Sequence, residues 1–332
     1  MTEGSTDTPI PVVVMGLGFV GQAIARAALE SAELSVVAAV DPAHAGERLH
    51  ALLGSRAPDL PILAAPGEAF ARARGGVVLH ATGSSFEQVF PEVRAAVRAG
   101  LSLVSTCEEL AYPWYSQPQR ADELADLCDA NGVSVVGTGV NPGFVLDRLP
   151  AFLLHVTGAV RRVDALRVQD ATPRRPALHR KIGAGLTVDE FWAAVQRHEV
   201  GHVGLAESAL LVADGCGFDL DDVDVEEDLE PVVAERDVRP SPSIAAGCVA
   251  GIRQSARAFV GGTERVRLQL EVSAGARDPR DEIRIDASVP LSVRVDGGIP
   301  GDDATAWAVV HAAPAMTRRH GLLTVLELPA GR

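Results

Sequence analysis

The sequence contains few cysteines, tryptophans and tyrosines, and fewer basic than acidic residues. Its four cysteines are Cys107, Cys128, Cys216 and Cys248, and no two of them form a C-x-x-C pair. Such wide spacing argues against a disulfide framework or a zinc site and is typical of reduced thiols, so we expect a cytoplasmic protein. The formal net charge of −14 makes nucleic acids and anionic membranes poor partners.

The sequence also lacks a long uncharged apolar run. No run reaches the roughly 20 residues that a membrane-spanning helix needs, and residues 1–9 lack the basic segment that opens a signal peptide. We therefore expect neither secretion nor a membrane anchor. With 332 residues, of which 47% are hydrophobic, the chain is long enough for two domains. Acids concentrate in residues 219–235, which we interpret as a solvated surface.

A glycine-rich motif follows the first apolar run. Val12–Met15 predicts a buried parallel strand, and the glycines after it fit the pattern G-x-G-x-x-G. In a dinucleotide-binding unit, Gly16 permits the tight turn and Gly18 lets the pyrophosphate approach the backbone. Gly21 then allows the next helix to pack closely on the strand. The motif alone is weak evidence, because an ordinary strand-to-helix turn can match it.

An acid at the end of the second predicted strand strengthens this interpretation. A helical stretch at residues 22–31 and the strand Leu34–Val40 lead to Asp41, which lies 20 residues after Gly21. An acid at this spacing accepts hydrogen bonds from the ribose hydroxyls of NAD and repels the 2′-phosphate of NADP. NAD(H) is therefore favoured, and the nearby Arg48 leaves NADP(H) open. The expected cofactor contacts are Gly16, Gly18, Phe19, Val20, Gly21, Asp41, Thr82, Gly83, Ser84, Cys107, Asn141 and Pro142.

The order of apolar segments predicts an α/β protein with two domains. Strands and helices alternate through residue 150, which indicates a Rossmann doubly wound parallel sheet. Beyond Pro150 the strands become polar and alternating, which indicates an α+β domain whose mostly antiparallel sheet has one solvated or dimer-facing side. A capping box, Thr187 and Glu190, opens a helix predicted over residues 187–213 and weakened at its glycines. We expect a flexible N-terminus (1–11), a dinucleotide-binding domain (12–150 and 301–332) and a substrate and dimerisation domain (151–300).

Three predicted loops should meet at one edge of the parallel sheet. They are Thr82–Ser85, Thr106–Glu109 and Gly137–Phe144, each after a predicted strand, and ligands of such sheets lie beyond the carboxyl ends of the strands. Tyr112 and Trp114 follow closely after the second loop, in a chain with only five tryptophans and tyrosines. We interpret them as one wall of a substrate pocket. The alternative is a hydrophobic plug beneath the loop.

Four segments resemble the 2,4-diaminopentanoate dehydrogenase family, which includes the native amine dehydrogenases. They are Ser-Thr-Cys-Glu-Glu-Leu-Ala-Tyr-Pro-Trp (105–114), Gly-Thr-Gly-Val-Asn-Pro-Gly-Phe-Val-Leu-Asp (137–147), Gly-His-Val-Gly-Leu-Ala-Glu-Ser (201–208) and Gly-Asp-Asp-Ala-Thr-Ala (301–306). The resemblance implies a fold related to dihydrodipicolinate reductase and a homodimer formed through the second domain. It also implies NAD(P)-dependent oxidative deamination or reductive amination. The reductase's own His-His and Lys-x-Asp signatures are missing, so dihydrodipicolinate is a poor substrate candidate.

A carboxylate at the strand end suits amine chemistry. Loss of hydride from an amine carbon leaves an iminium cation, which a fixed anion stabilises. In the reverse direction the same group would hold ammonia and exchange protons during hemiaminal dehydration. The resemblance maps the family's catalytic glutamate to the pair Glu108-Glu109. We predict Glu108 as the catalytic residue, since adjacent side chains after a strand point to opposite sides, and Glu109 as a substrate contact.

The other expected substrate contacts are less specific. Asn141 and Phe144 lie in an Asn-Pro-Gly turn that would sit under the nicotinamide, although this sequence also forms simple turns. His202 falls in a segment of the resemblance but is equally well explained as a core or capping residue. Thr305 is as plausible on a helix surface as in a pocket. Together with Tyr112, Trp114 and Glu109, these residues predict a small and mainly apolar pocket for a carbonyl or amine substrate and ammonia.

Other functions remain open at this point. A 2,4-diamino acid dehydrogenase or a cyclic imine reductase would keep the cofactor and change the substrate, and a non-catalytic NAD(P)H sensor would lack turnover. His198 and His202 also match H-E-x-x-H, the signature of zinc hydrolases, which requires both histidines on one face of a helix. Gly201 would weaken that helix, and Leu205 stands where the extended signature has glycine. We interpret the match as coincidental.

Overall fold

The computed structural model describes residues 8–239 and 243–329 and divides the chain into two compact units. Unit 1 extends to Phe144 and resumes at Pro300, and unit 2 comprises Val145–Ile299. Pro150, at the expected boundary, lies inside a helix that belongs to unit 2. Of the N-terminus expected to be flexible, residues 1–7 lie outside the described residues, and the first strand already begins at Ile10.

Unit 1 is built on a seven-stranded parallel sheet. Apolar, β-branched runs such as Val12–Val14 are fully buried because helices cover both faces of such a sheet. The order is β13-β6-β5-β4-β1-β2-β3, and all neighbouring pairs are parallel. The predicted doubly wound sheet is confirmed. Its strands are β1 Ile10–Met15, β2 Leu34–Val40, β3 Ile62–Leu63, β4 Val77–His80, β5 Ser102–Ser105, β6 Ser134–Gly137 and β13 Gly321–Leu323.

The helices of unit 1 bury one apolar face each. The inward face of α4 carries Phe86, Val89, Phe90 and Val93, which join the core beside β5. The last helix, α11, packs against α1 and β5. These helices are α1 Phe19–Glu30, α2 Leu49–Leu53, α3 Pro66–Arg72, α4 Phe86–Arg98, α5 Pro113–Ser116, α6 Pro118–Asn131 and α11 Gly301–Met316.

Unit 2 is built on a six-stranded mixed sheet in the order β12-β11-β7-β10-β9-β8. Only β7 and β10 pair in parallel, so the predicted mostly antiparallel sheet is confirmed. The strands are β7 Val160–Asp170, β8 Val223–Val233, β9 Val249–Val260, β10 Thr263–Ser273, β11 Arg280–Ala287 and β12 Leu291–Asp296. The helices are α7 Arg148–Leu153, α8 Pro176–Lys181, α9 Val188–Gln196 and α10 Leu205–Gly215.

Two features of unit 2 differ from the sequence prediction. The acidic run is exposed, but it forms the edge strand β8, where Arg257 of β9 binds Glu226 at 3.0 Å and Asp228 at 2.7 Å. The single helix predicted over residues 187–213 is two helices, α9 and α10. The Thr187–Glu190 capping box is present at the start of α9. The chain between the helices includes Gly201 at φ +132° and Gly204 at φ +99°, a left-handed backbone that interrupts a helix.

A buried ion pair anchors the end of unit 2. One Arg167 nitrogen lies 2.8 Å from each carboxylate oxygen of Asp281, and both side chains are almost completely buried. The second terminal nitrogen of Arg167 donates to the Ile299 carbonyl at 2.7 Å, and Asp281 accepts from the Ile299 nitrogen at 2.7 Å. The pair therefore fixes the backbone of the last residue of unit 2. Within residues 8–239 and 243–329, none of the helices has the length and apolar composition that crossing a membrane requires.

Candidate active site

The glycine-rich loop between β1 and α1 has the geometry that a dinucleotide needs. Gly16 adopts φ +88°, and a Cβ atom there would lie 2.4 Å from the Ala81 carbonyl oxygen. A Cβ atom on Gly21 would lie 1.9 Å from the Gly16 carbonyl oxygen, so the close helix packing requires glycine. At Gly18 a Cβ atom would meet nothing within 4 Å. The loop thus has open space at the position where a pyrophosphate would approach.

The start of α1 adds electrostatic support for an anion. The N-cap residue is Gly18, which has no side chain, and the positive end of the helix dipole lies here, where it favours a phosphate. Phe19 is 56% exposed at this end, and Val20 is partly buried. The arrangement fits the predicted contacts of both residues with the cofactor.

Asp41 lies at the carboxyl end of β2, beside the glycine-rich loop. One of its carboxylate oxygens accepts from the Leu17 nitrogen at 2.6 Å, and the other accepts from the Ala43 nitrogen at 2.8 Å. These bonds fix the carboxylate at the site predicted for the ribose. Arg48 instead binds the Asp59 carboxylate at 2.6 Å. The one nearby cation that left NADP open is therefore engaged by another acid.

The loops after β4, β5 and β6 are joined by hydrogen bonds at the same edge of the sheet. The Cys107 thiol donates to the Ser84 carbonyl at 3.2 Å, and the Glu109 nitrogen donates to the same oxygen at 3.4 Å. The Thr138 nitrogen donates to the Ser105 carbonyl at 2.8 Å. Burial raises the pKa of Cys107 to about 12, so its thiol stays protonated. Because the Cys107 thiol is buried and bonded to Ser84, only the main chain of Cys107 could make the predicted cofactor contact.

The two adjacent glutamates have different environments. The Glu109 carboxylate accepts from the Phe86 nitrogen at 2.6 Å, which satisfies the first N–H group of α4. Glu108, one residue earlier, is partly buried in the loop after β5. Glu109 therefore has a structural partner that explains its presence, and the predicted substrate contact is not needed to account for it.

The aromatic residues after this loop differ in how they are buried. Trp114 packs against the hydrophobic core of unit 1, as the plug interpretation expects. Its ring lies 5.5 Å from that of Tyr112, measured between centroids. Tyr112 is partly buried, and Tyr115 is 45% exposed. The plug interpretation therefore holds for Trp114, and a pocket wall at Tyr112 stays a prediction.

The predicted Asn-Pro-Gly turn is present after β6. Gly143 has φ +127°, and a Cβ atom there would lie 2.1 Å from the Gly139 nitrogen. Thr305 of α11 accepts a hydrogen bond from the Val140 nitrogen at 3.1 Å. Thr305 thus holds the turn that carries Asn141. Within the same turn Pro142 is buried and Phe144 is partly buried.

The two histidines of the H-E-x-x-H match do not share a helix. Helix α9 ends at Gln196, and His198 has φ +56° in the segment that follows. His202 belongs to unit 2, where Gln254 bonds to its backbone nitrogen and carbonyl, each at 2.9 Å. Burial, and the charges of Lys181 and Arg167, lower the pKa of His202 to about 3. In the part of the chain that the structure describes, no group of three or more His, Cys, Asp or Glu side chains could hold a metal ion.

A polar network beneath the loops after β4 and β5 was not predicted from the sequence. His80, the last residue of β4, is completely buried and lies within hydrogen-bond distance of Thr82, Glu92 and Ser105. The only sequence signal was a histidine at the end of an apolar strand. Since such a residue is common in protein cores, its partners on α4 and β5 could not be inferred.

Comparisons with known proteins agree with this architecture. Residues 144–332 match the profile of the 2,4-diaminopentanoate dehydrogenase C-terminal domain. The chain is 29% identical to 2,4-diaminopentanoate dehydrogenase from Acetoanaerobium sticklandii over 333 aligned residues, which cover 97% of this chain and 94% of that protein. Amine dehydrogenase from Mycobacterium smegmatis has a similar structure, with a TM-score of 0.81 at 21% identity over 97% of both chains.

A further solved structure shares the architecture more distantly. UDP-N-acetylglucosamine 3-dehydrogenase from Acidithiobacillus ferrooxidans has a TM-score of 0.56 at 15% identity, over 96% of this chain and 93% of that one. At such identities both structural matches show a common fold.

Proposed function

Because this chain belongs to the 2,4-diaminopentanoate dehydrogenase family, and is a dehydrogenase that acts on amines, we propose that it catalyses the reductive amination of small ketones and aldehydes. The nitrogen donor would be ammonia, the reductant NAD(P)H, and the reverse reaction the oxidative deamination of small amines. The observation that carries this proposal is the position of Glu108. Its loop is bonded to the loop after β4, at the sheet edge that also bears the glycine-rich loop.

The nicotinamide, when bound, supplies or accepts the hydride. The open space at Gly18, the positive end of the α1 dipole and the fixed Asp41 carboxylate are the features that would hold the dinucleotide. Asp41 also favours NAD over NADP, because a second negative charge beside it would be repelled. Arg48, the cation that would compensate a 2′-phosphate, is bound to Asp59 instead.

Glu108 would act on the nitrogen of the substrate. A carboxylate beside the reacting carbon stabilises the iminium charge that hydride removal creates. In the aminating direction it accepts a proton from ammonium and returns one to the hydroxyl that leaves the hemiaminal as water. Glu109 does not compete for this role, because its carboxylate is bonded to the start of α4. Tyr112, Asn141 and Phe144 remain the proposed substrate contacts in unit 1.

The test is NAD(P)H oxidation at 340 nm with a panel of small ketones and aldehydes, each with and without ammonium. Wild-type turnover should depend on ammonium, and Glu108→Ala should lose roughly 10²-fold to 10⁴-fold of it, the range for loss of an acid–base group. NADH binding to Glu108→Ala, followed by fluorescence, should stay within about twofold of wild type. Tight NADH binding without any turnover would contradict the proposal for simple carbonyl substrates.

A second candidate substrate class is a 2,4-diamino acid. The relative named for 2,4-diaminopentanoate matches nearly the full length of this chain, which favours such a substrate. Of the arginines that could bind its carboxylate, Arg161 is already paired with Asp286. Oxidation of 2,4-diamino acids with NAD, compared with oxidation of simple amines, separates the two classes. Reduction of a preformed cyclic imine without ammonium would identify the third.

We also propose a homodimer formed through unit 2, and a cytoplasmic location. The outer face of the six-stranded sheet carries alternating charges that already pair with each other, as Arg253 does with Glu271 at 2.8 Å. A second copy could therefore cover this face without leaving many charges uncompensated. The four free cysteines fit a reducing compartment. Light scattering of the purified protein tests the dimer.

A further inference from the structure

His80 is a buried titratable residue that has no role in the proposed mechanism. Its side chain is 0% exposed at the carboxyl end of β4. Nδ1 lies 2.8 Å from the Ser105 hydroxyl of β5, and Nε2 lies 2.9 Å from the Glu92 carboxylate of α4. The Thr82 hydroxyl is 2.8 Å from Nε2 and donates to Glu92 at 2.5 Å. The imidazole thus bridges two strands and a helix directly under the loops of the site.

The partners of the imidazole define which of its two ring nitrogens donates a hydrogen bond. The Glu92 carboxylate can only accept, so Nε2 carries the proton and donates to it. The hydrogen bond from His80 also lowers the pKa of Glu92, which keeps this acceptor charged. Ser105 accepts a hydrogen bond from the Cys107 nitrogen at 3.0 Å, and its own hydrogen is then left for Nδ1. Ser105 thus links Nδ1 of His80 to the Cys107 nitrogen.

This chain of hydrogen bonds ends next to Glu108. The backbone of the loop after β5 is held at the Thr106 nitrogen by the His80 carbonyl, at 3.0 Å, and at the Cys107 nitrogen by Ser105. His80 therefore holds two backbone groups of this loop. Its carbonyl binds the Thr106 nitrogen, and its imidazole reaches the Cys107 nitrogen through the Ser105 hydroxyl. Since catalysis depends on sub-ångström placement of the reacting groups, this connection has consequences for rate.

We propose that His80 is a positioning residue, which acts through the Ser105 hydroxyl to fix the loop that carries Glu108. Thr82 belongs to the same network, because its hydroxyl is bound to Glu92 and its main chain begins the loop after β4. The proposed cofactor contact of Thr82 is therefore made by the main chain, at a position that His80 and Glu92 determine. The inference rests on the proposed role of Glu108.

A pair of serines on β5 provides a matched test. Ser105→Ala cuts the link between His80 and Cys107 and leaves the imidazole and Glu92 in place. Ser102→Ala, at the other end of the same strand, also removes a buried hydroxyl with two backbone partners, the Met316 carbonyl at 3.0 Å and the Ser134 nitrogen at 3.1 Å. Both variants should lower Tm by similar amounts, because each loses comparable buried hydrogen bonds.

Of the two serine variants, only Ser105→Ala, next to the loop that carries Glu108, should have a lower kcat. For Ser105→Ala we expect kcat to fall roughly tenfold to a hundredfold, as for a displaced catalytic group, while the Kd for NADH stays unchanged. Ser102→Ala should keep the kcat of wild type, and His80→Gln should lower kcat as Ser105→Ala does. Equal kcat values for the two serine variants would overturn the proposal. A parallel fall in both would show a structural role only.

Amide hydrogen exchange separates this inference from the proposed function. Exchange at Cys107 and Glu108 should accelerate in Ser105→Ala and not in Ser102→Ala, whether or not any carbonyl substrate is turned over. Wild-type protein without ammonium-dependent activity would count against the proposed function alone. Unchanged exchange at Cys107 in Ser105→Ala would show that the loop is held by other contacts, and the positioning role would be wrong.

Discussion

The Glu109 carboxylate accepts a hydrogen bond from the backbone nitrogen of Phe86, at a distance of 2.6 Å. The two residues are 23 positions apart, because Glu109 follows β5 and Phe86 is the first residue of α4. A carboxylate at a helix start both satisfies an N–H group and interacts favourably with the helix dipole. We therefore predict separate roles for the two adjacent glutamates, which mutation can distinguish.

Glu109→Ala should reduce stability more than activity. Loss of a capping acceptor costs about 1 kcal/mol, which lowers Tm by a few degrees in thermal unfolding. Glu108→Ala should lower turnover by roughly 10²-fold to 10⁴-fold, the range for loss of an acid–base group. If Glu109→Ala removed activity at full stability and Glu108→Ala did not, the catalytic assignment would be reversed.

Alanine at two positions of the glycine-rich loop should affect folding very differently. Gly18→Ala meets open space, so the protein should fold with nearly the wild-type Tm and bind NADH more weakly. Gly21→Ala places a methyl group 1.9 Å from the Gly16 carbonyl oxygen, and we expect low yield or a large loss of stability. Expression, Tm and NADH fluorescence titration provide the comparison. Unaltered NADH affinity in a folded Gly18→Ala protein would place the pyrophosphate elsewhere.

Replacement of Asp41 should change the choice of cofactor. Asp41→Ser removes the charge that would repel a 2′-phosphate, so the ratio of kcat/KM for NADPH to that for NADH should rise at least tenfold, or about 1.4 kcal/mol. The ratio is measured on one preparation, so any loss of stability through the Leu17 contact cancels. Arg48→Ala is the control, because Arg48 is bound to Asp59, and it should leave the ratio unchanged. A large effect of Arg48→Ala would mean that Arg48 turns toward the cofactor.

His202 should make the protein less stable in mild acid. Its pKa falls from 6.5 to about 3 in the folded protein, through burial and the nearby Lys181 and Arg167. Below about pH 6.5 the unfolded chain binds a proton that the folded chain does not, so stability decreases as pH falls toward 3. One such proton changes the free energy of unfolding by at most about 1.4 kcal/mol per pH unit.

Urea denaturation between pH 7 and 4 measures this effect. His202→Gln should flatten the pH dependence of the unfolding free energy relative to wild type. His198→Gln, at the exposed histidine four residues earlier, should retain the wild-type slope. Identical slopes for wild type and His202→Gln would show that His202 is protonated in the folded state.

Local sequence was sufficient for most of the parallel sheet of unit 1, but not for its two-residue edge strand β3, Ile62–Leu63. Each strand there is a short apolar run followed by glycine or a polar loop, and helices of ordinary periodicity lie between them. Prediction was poorer in unit 2, where β8 carries acids on successive exposed positions and resembles a solvated loop. Its strand conformation depends on pairing with β9, and Val249–Val260 is rich in small and polar residues. Such long-range pairing has no signal in a local pattern.

In the candidate active site, too, local features could be predicted from the sequence and long-range contacts could not. The turn glycines and Asp41 could be predicted from their sequence spacing, because each meets a steric or electrostatic requirement within one βαβ unit. The roles of Glu109, Thr305 and His80 were not, since each binds a residue from another part of the chain. Glu109 binds the start of a helix, Thr305 the turn after β6, and His80 a serine 25 residues away.

Unit 1 is not continuous along the chain, and this determines the order in which the protein can form. Its last helix and strand, α11 and β13, follow Ile299, whereas α1 and β6, against which they pack, belong to the first 144 residues. During synthesis all of unit 2 leaves the ribosome before the nucleotide-binding unit has its final helix and edge strand. Unit 2 can fold from a continuous stretch of nascent chain, and the Arg167–Asp281 pair then holds Ile299 from which the returning segment begins. The nucleotide-binding unit, although it starts first, is completed last.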